Sequence, residues 1–228
     1  MFRSLSRKRR FGFTLVEVLV TTVVVGVMAA VVIPALVKQT SAADAPRVAS
    51  DLGSIKAAME VFSLNVKPRM PGDIEDLINT ISTTENGLDG TAYTSGNVSK
   101  WTGPYIEWTG TVIGNAATAD TIFKSAGSAV VHDALFRCPA VESGYSTGNT
   151  TDAPCTLGTG NTSTNVTDSY TAVKVTGIGA ASNEFKNLNA VIDGTDEGAN
   201  DANKQDFGIL RQNAAGTVFF LAVPFSKP

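Results

Sequence analysis

One histidine and two cysteines are a thin supply of reactive side chains for 228 residues. With His132 as the single imidazole, no Cys/His or Ser/His/Asp set can be assembled. No glycine-rich phosphate loop follows a strand, so the sequence points away from catalysis. Charge is also scarce, at 17% of residues against about a quarter in ordinary domains. Five of the 18 basic residues (Arg3, Arg7, Lys8, Arg9 and Arg10) crowd the first ten positions. The rest of the chain holds the other 13 against 21 acids, a net charge of −8. A basic footprint for nucleic acid is thus missing from most of the chain. No internal repeat is visible.

Charge is absent altogether from Val18 to Val37, a run of 20 residues. Only Thr21, Thr22, Gly26 and Pro34 interrupt its aliphatic character. At ~1.5 Å per residue it reaches about 30 Å, the thickness of a bilayer's hydrocarbon core. Basic residues crowd its N-terminal side and Lys38 follows it, which puts the N-terminus in the cytoplasm and the bulk outside. Two other readings compete. An ordinary secretory signal cut near Ser41-Ala42-Ala43 has a shorter apolar core than this one. An anchor that is never cut fits the length. Neither explains why an acid, Glu17, stands at the head of the apolar run, where a carboxylate is expensive.

The junction Arg10-Phe11-Gly12-Phe13-Thr14-Leu15-Val16-Glu17, with Gly26 and Pro34 beyond it, resembles the prepilin-type signal of type IV pilins and type II secretion pseudopilins. That resemblance implies cleavage between Gly12 and Phe13 by a prepilin peptidase, and N-methylation of Phe13. It implies storage in the bacterial inner membrane, head outward, and then polymerisation with copies of itself and other pilins on an inner-membrane assembly platform. Glu17 would meet the Phe13 amine of a neighbouring subunit and set the filament's axial register. The two charges are one helical turn apart, and inside lipid or a packed core they must be paired. The bland alternative has Glu17 complementing the helix N-terminus or snorkelling to the headgroups. Gly26 and Pro34 weaken the helix, by about 1 and 3 kcal/mol. In assembled relatives the matching segment loses helicity. A kinked membrane helix without melting is the competing reading.

Beyond Lys38 the run turns amphipathic. Val48, Leu52, Ile55, Met59, Phe62 and Val66 fall at steps of four and three, flanked by Arg47, Asp51, Lys56 and Glu60. Six large apolar groups on one face require cover, and a sheet is the expected cover. Pro46 should bend this half, and Pro68 and Pro71 end it. The expected organisation is a cleaved leader over 1–12, a long helix over 13–67 with 13–37 in the membrane or filament core, and a head over 68–228. The fold class is α+β, a pilin-like antiparallel sheet on the helix's amphipathic half.

In the head, Pro71-Gly72-Asp73 before Ile74, Leu77, Ile78 and Ile81 predicts a short helix capped by Asp73. Trp101-Thr102-Gly103-Pro104-Tyr105 and the stretch from Ala49 to Leu77 resemble the G-type major pseudopilins, although aromatics around a Gly-Pro turn are most often core packing. Tyr170–Thr176 reads as a strand and residues 207–223 as a terminal hairpin, with a solvated loop from Ser146 to Ser169. Cys138 and Cys155, with 16 residues between them in an exported head, read as a disulfide, with free thiols as the alternative. Asp193, Asp196, Asp201 and Asp206 offer the oxygen ligands of a hard cation. The resemblance to G-type pseudopilins, which hold calcium in a C-terminal loop, raises calcium there, and a solvated acidic loop competes. No cofactor is otherwise required. The function expected is a structural filament subunit, not an enzyme. The alternative is a minor tip pilin or membrane-tethered adhesin, or a DNA-uptake pilin with a local basic patch.

Overall fold

The computed structural model describes residues 13–67, 69–108, 110–113, 120–139, 155–157, 169–179, 182–194 and 208–225. The chain divides into two compact units, Met1–Ser41 and Ala42–Pro228. Helix α1 (Leu15–Asn65) runs through both. In the first unit the stretch Leu15–Ile33 is long and apolar enough to cross a membrane by length and composition. Its large side chains, from Leu15 to Ile33, stand exposed. Thr21 and Thr22 turn their hydroxyls back onto the carbonyls of Val18 and Leu19, both at 2.9 Å. That satisfies the two polar groups without water, as an apolar surrounding demands. The helix is unbroken at Gly26, Pro34 and Pro46.

In the second unit the predicted stripe is the core. Val48 is 4% exposed, and Leu52, Ile55, Met59, Phe62 and Val66 are fully buried. They pack in one apolar cluster with Leu135 and Val131 of the sheet, Val173, Val175 and Val218 beside them, and Leu77 and Leu88 from the connecting segment. Among the described residues the sheet has seven strands: β1 (Thr111–Ile113), β2 (Asp120–Lys124), β3 (Val130–Pro139), β4 (Thr156–Leu157), β5 (Ser169–Thr176), β6 (Leu210–Gln212) and β7 (Val218–Phe225). Their order is β1-β2-β3-β5-β7-β6, with β4 added to β3, and every pairing is antiparallel. The described residues of the unit also form α2 (Glu75–Ile78), α3 (Ser95–Val98) and α4 (Asn183–Ile192).

Strand periodicity explains a second apolar cluster. Val173 and Val175 of β5 face the α1 core, so Ala172 beside them faces away. It joins Phe136, Cys138, Cys155, Phe219 and Leu221. Phe136 and Phe219 meet edge to face with centroids 5.5 Å apart. Cys138 is bonded to Cys155 there, which fastens β4 to the far end of β3.

Several elements differ from the sequence reading. The region read as a loop from Ser146 to Ser169 contains β4. The helix α4 and the ten-residue strand β3 were not anticipated. The short helix after Pro71 is a single turn starting at Glu75, and its N-cap position is Ile74. Asp73 still acts on it, accepting the Asp76 N–H at 3.0 Å.

Replacing Cys138 by Ser should lower the stability of the oxidised protein by about 3 kcal/mol, through the restored freedom of the unfolded loop. Thermal melts of wild type and variant without reductant measure it. The difference should vanish when both are reduced.

Candidate functional site

The first turn of α1 sets the geometry of the N-terminal site. Thr14 Oγ1 accepts the Glu17 N–H at 3.2 Å. The Thr14 carbonyl accepts the same N–H at 3.1 Å and that of Val18 at 3.3 Å. Thr14-x-x-Glu17 has the spacing of a capping box, in which a hydroxyl opens the helix and an acid sits at its third position. An acid there also complements the partial positive charge of the helix end. The sequence motif and the helix start are therefore one feature. Phe13 is 83% exposed and Glu17 is exposed one turn on, so both charges of a Phe13 amine and a Glu17 carboxylate would stand on the surface of an apolar rod. Nothing stands within 4 Å of where a Cβ would be on Gly26, so its lack of a side chain is not demanded by the unit's own packing. Pro34 lies inside the helix, and Gly12 and the leader lie outside the described residues.

The Trp-Thr-Gly-Pro-Tyr segment closes over the other end of α1. Tyr105 meets Phe62 and Trp101 edge to face, each with centroids 5.7 Å apart. The Trp101 indole donates to the Asp76 carbonyl at 2.9 Å, and Asn65 Nδ2 donates to Thr102 Oγ1 at 2.8 Å. Gly103–Pro104 is cis. These contacts make the segment a packing device, the reading that its aromatics alone favour.

Asp193, at the C-terminal end of α4, has a different role from that of a simple surface acid. Its Oδ1 accepts the Ile209 N–H and its Oδ2 the Leu210 N–H, both at 3.0 Å. Burial raises its pKa, against the pull of those two bonds. A Cβ on Gly208 (φ +80°) would stand 2.4 Å from Asp193 Oδ2, so the close approach needs glycine. Asp193 thus clamps the two ends of the acidic segment together. Asp196, Asp201 and Asp206 lie outside the described residues. Among the described residues no group of three His, Cys, Asp or Glu is placed to hold a metal ion.

One acidic constellation was missed in the sequence. Asp73 stands between Asp76, which is bonded to Tyr93, and Asp133, which is 60 residues from Asp73 along the chain. The spacing Asp73-x-x-Asp76 was visible, but nothing in it announces a partner on β3.

Comparison with known proteins meets the same N-terminal feature. The family described as the prokaryotic N-terminal methylation motif matches residues 7–33. The Type II secretion system core protein G of Aeromonas hydrophila is 32% identical over 85 residues, 37% of this chain and 51% of that protein. Its namesake in Klebsiella pneumoniae is 36% identical over 81 residues, 36% and 49% of the two chains. That of Pectobacterium carotovorum is 37% identical over 57 residues, 25% and 36%. The chain spans about half the length, or less, of the curated relatives it matches. No solved structure matches it.

Proposed function

We propose that this chain, which carries the prokaryotic N-terminal methylation motif and is similar to type II secretion core proteins G over about a third of its length, is a structural subunit of a type II secretion pseudopilus. It is stored in the inner membrane through the N-terminal part of α1 and polymerised through that same segment. A prepilin peptidase removes residues 1–12, an inner-membrane platform feeds the subunit into the filament, and other pilins join it. The observation that carries this reading is the coincidence of three things at one place. The methylation motif covers residues 7–33, α1 opens at Thr14 with Glu17 in its first turn, and the apolar run behind them is exposed. A bare apolar rod of that length has two stable surroundings, lipid or other rods like it. A cut after Gly12 supplies the cation that Glu17 needs in either.

The acidic segment belongs to the same proposal as a calcium site of Asp193, Asp196, Asp201 and Asp206. Asp193 would contribute from the stem, where its oxygens also accept backbone N–H groups. Hard cations take carboxylate oxygens from such turns. Calcium would fasten a loop whose ends are already pinned.

Intact mass of protein taken from membranes should correspond to a chain starting at N-methylated Phe13. Full-length protein beginning at Met1, or a start near Asp44, would sink the proposal. Millimolar calcium should raise the melting temperature of the detergent-solubilised protein over that in chelator, by mass action on the folded state. Asp201→Ala should remove the difference, and equal melting in both buffers leaves only a solvated loop.

Glu17→Ala should insert and be cut as wild type does, because losing a charge makes the span more apolar. It should nonetheless yield no sheared filament, since an incoming Phe13 amine would be buried unpaired at a cost of several kcal/mol. Immunoblots of membrane and sheared fractions from cells making only the variant decide it. Filament at wild-type level would reduce Glu17 to a helix-end charge.

A further inference from the structure

The segment after α1 is fastened to the sheet at one irregular place. The pairing of β3 with β5 shifts between Val131 and Leu135, so residues 132–134 leave the regular ladder. The connector uses that gap. Asp73 bridges to Ala134, and the Ile74 N–H donates to the Asp133 carbonyl at 3.0 Å. The Glu75 N–H donates to Asp133 Oδ1 at 2.9 Å. On the other side of α2, Asp76 is 4% exposed, and its Oδ2 accepts from the Tyr93 hydroxyl at 2.6 Å and the Gly72 N–H at 2.7 Å. A Cβ on Gly72 would stand 2.1 Å from the Asn86 carbonyl oxygen, so the chain is drawn in as tightly as it can be. Carboxylates thus tie both flanks of the connector, one to β3 and one to the Tyr93 loop.

The electrostatics of this arrangement are one-sided. The charges that act on these carboxyls are all acids: Glu75 and Glu85 on Asp73, Asp73 and Glu85 on Asp76, and Asp73 and Glu75 on Asp133. Hydroxyl and indole groups also line the cluster. Thr121 of β2 donates its hydroxyl to Glu75 Oε1 at 3.2 Å, and Trp101 reaches the Asp76 carbonyl. Arg69, on the connector, is paired with Asp89. His132, beside Asp133, has its Nε2 2.8 Å from Thr176 Oγ1. Several like charges packed in a half-buried space cannot all ionise without strain, and retaining a proton is the ordinary relief.

We propose that the connector from Arg69 to Thr94 is held by a proton-dependent clasp, in which Asp133 fastens it to β3 and Asp76 ties it internally to Tyr93. When the cluster keeps its protons, the backbone bonds to Asp76 and Asp133 close without repulsion. When it is fully ionised, repulsion among the five acids loosens the connector from β3 and opens its internal tie between Asp76 and Tyr93. Burial, followed by the neighbouring acids, raises the Asp133 carboxyl to about 8. Burial is also the largest cause of the upward shifts of Asp73 and Asp76. A carboxyl whose folded-state pKa stands above its unfolded value binds more protons when folded. Its stabilising contribution is complete below pH 3.8, the ordinary Asp value, and is lost as pH rises through about 8. The clasp therefore opens toward alkaline pH. It rests on the head's own geometry and stands or falls independently of the filament reading.

The test uses the full-length chain in detergent, with thermal melts at about pH 5 and about pH 9. Wild type should melt lower at the higher pH. In Asp76→Asn/Asp133→Asn, whose amide oxygens can still accept the same hydrogen bonds, the difference should fall to less than half. An undiminished difference in the variant, or wild type melting higher at alkaline pH, overturns the clasp. Hydrogen exchange of wild type, corrected for the intrinsic effect of pH, gives a second reading that needs no variant. Protection should drop between those pH values in residues 69–94 while β5 and β7 keep theirs. A uniform change, or one confined to the region around Asp193, also overturns it.

Discussion

The head depends on one contact, the apolar stripe of α1 laid against the inner face of the sheet. Five of its six large residues are wholly withdrawn from water. Each such burial is worth ~1.5–3 kcal/mol, which makes this stripe the main counterweight to the entropy of ordering the chain around it. Where the stripe ends decides how the neighbouring segments are arranged. Phe62 is the platform for Tyr105, Trp101 stacks on Tyr105, and Trp101 in turn holds the Asp76 carbonyl. The connector, the aromatic turn and the acidic cluster are thus organised by the last two turns of one helix.

The same helix is apolar on all sides before residue 34 and on one side after Asp44. That change tells two surroundings apart. An all-round apolar surface has no inside of its own and requires other molecules, whether lipid or subunits, to cover it. A one-sided surface needs only its own sheet. The division between what the chain completes alone and what it leaves for a partner is therefore written along α1.

The long helix and its stripe were legible because helical periodicity is local: steps of three and four place Val48 through Val66 on one face whatever they pack against. The terminal hairpin was legible for a similar reason, since Asn213-Ala214-Ala215-Gly216 is a turn by composition, and Gly216 does take a positive φ. Strand β3 was not. It is central and apolar residues point to both faces, so Val131 and Leu135 on one side and Phe136 and Cys138 on the other blur any alternation. Helix α4 was hidden because Phe185 and Leu188 are its only fully buried apolar residues in ten, among asparagines that read as loop. At the candidate sites, the junction from Phe13 to Glu17 was legible because its residues are contiguous. That Ile209 and Leu210 return to Asp193 cannot be seen in the sequence, because the contact is between residues distant along the chain. The approach of Asp133 to Asp73 and Glu75 was invisible for the same reason.

Asp193 also closes the two stems that meet between α4 and β6. The carboxylate joins the stems at Ile209 and Leu210, so the fold closes beneath whatever chain is carried between them. For a loop closed in this way the entropic penalty grows only with the logarithm of its length, about 0.6 kcal/mol for each doubling. A change in the number of residues between the two stems therefore costs the head little closure entropy, and the pairing of β6 with β7 is fixed from the stem side.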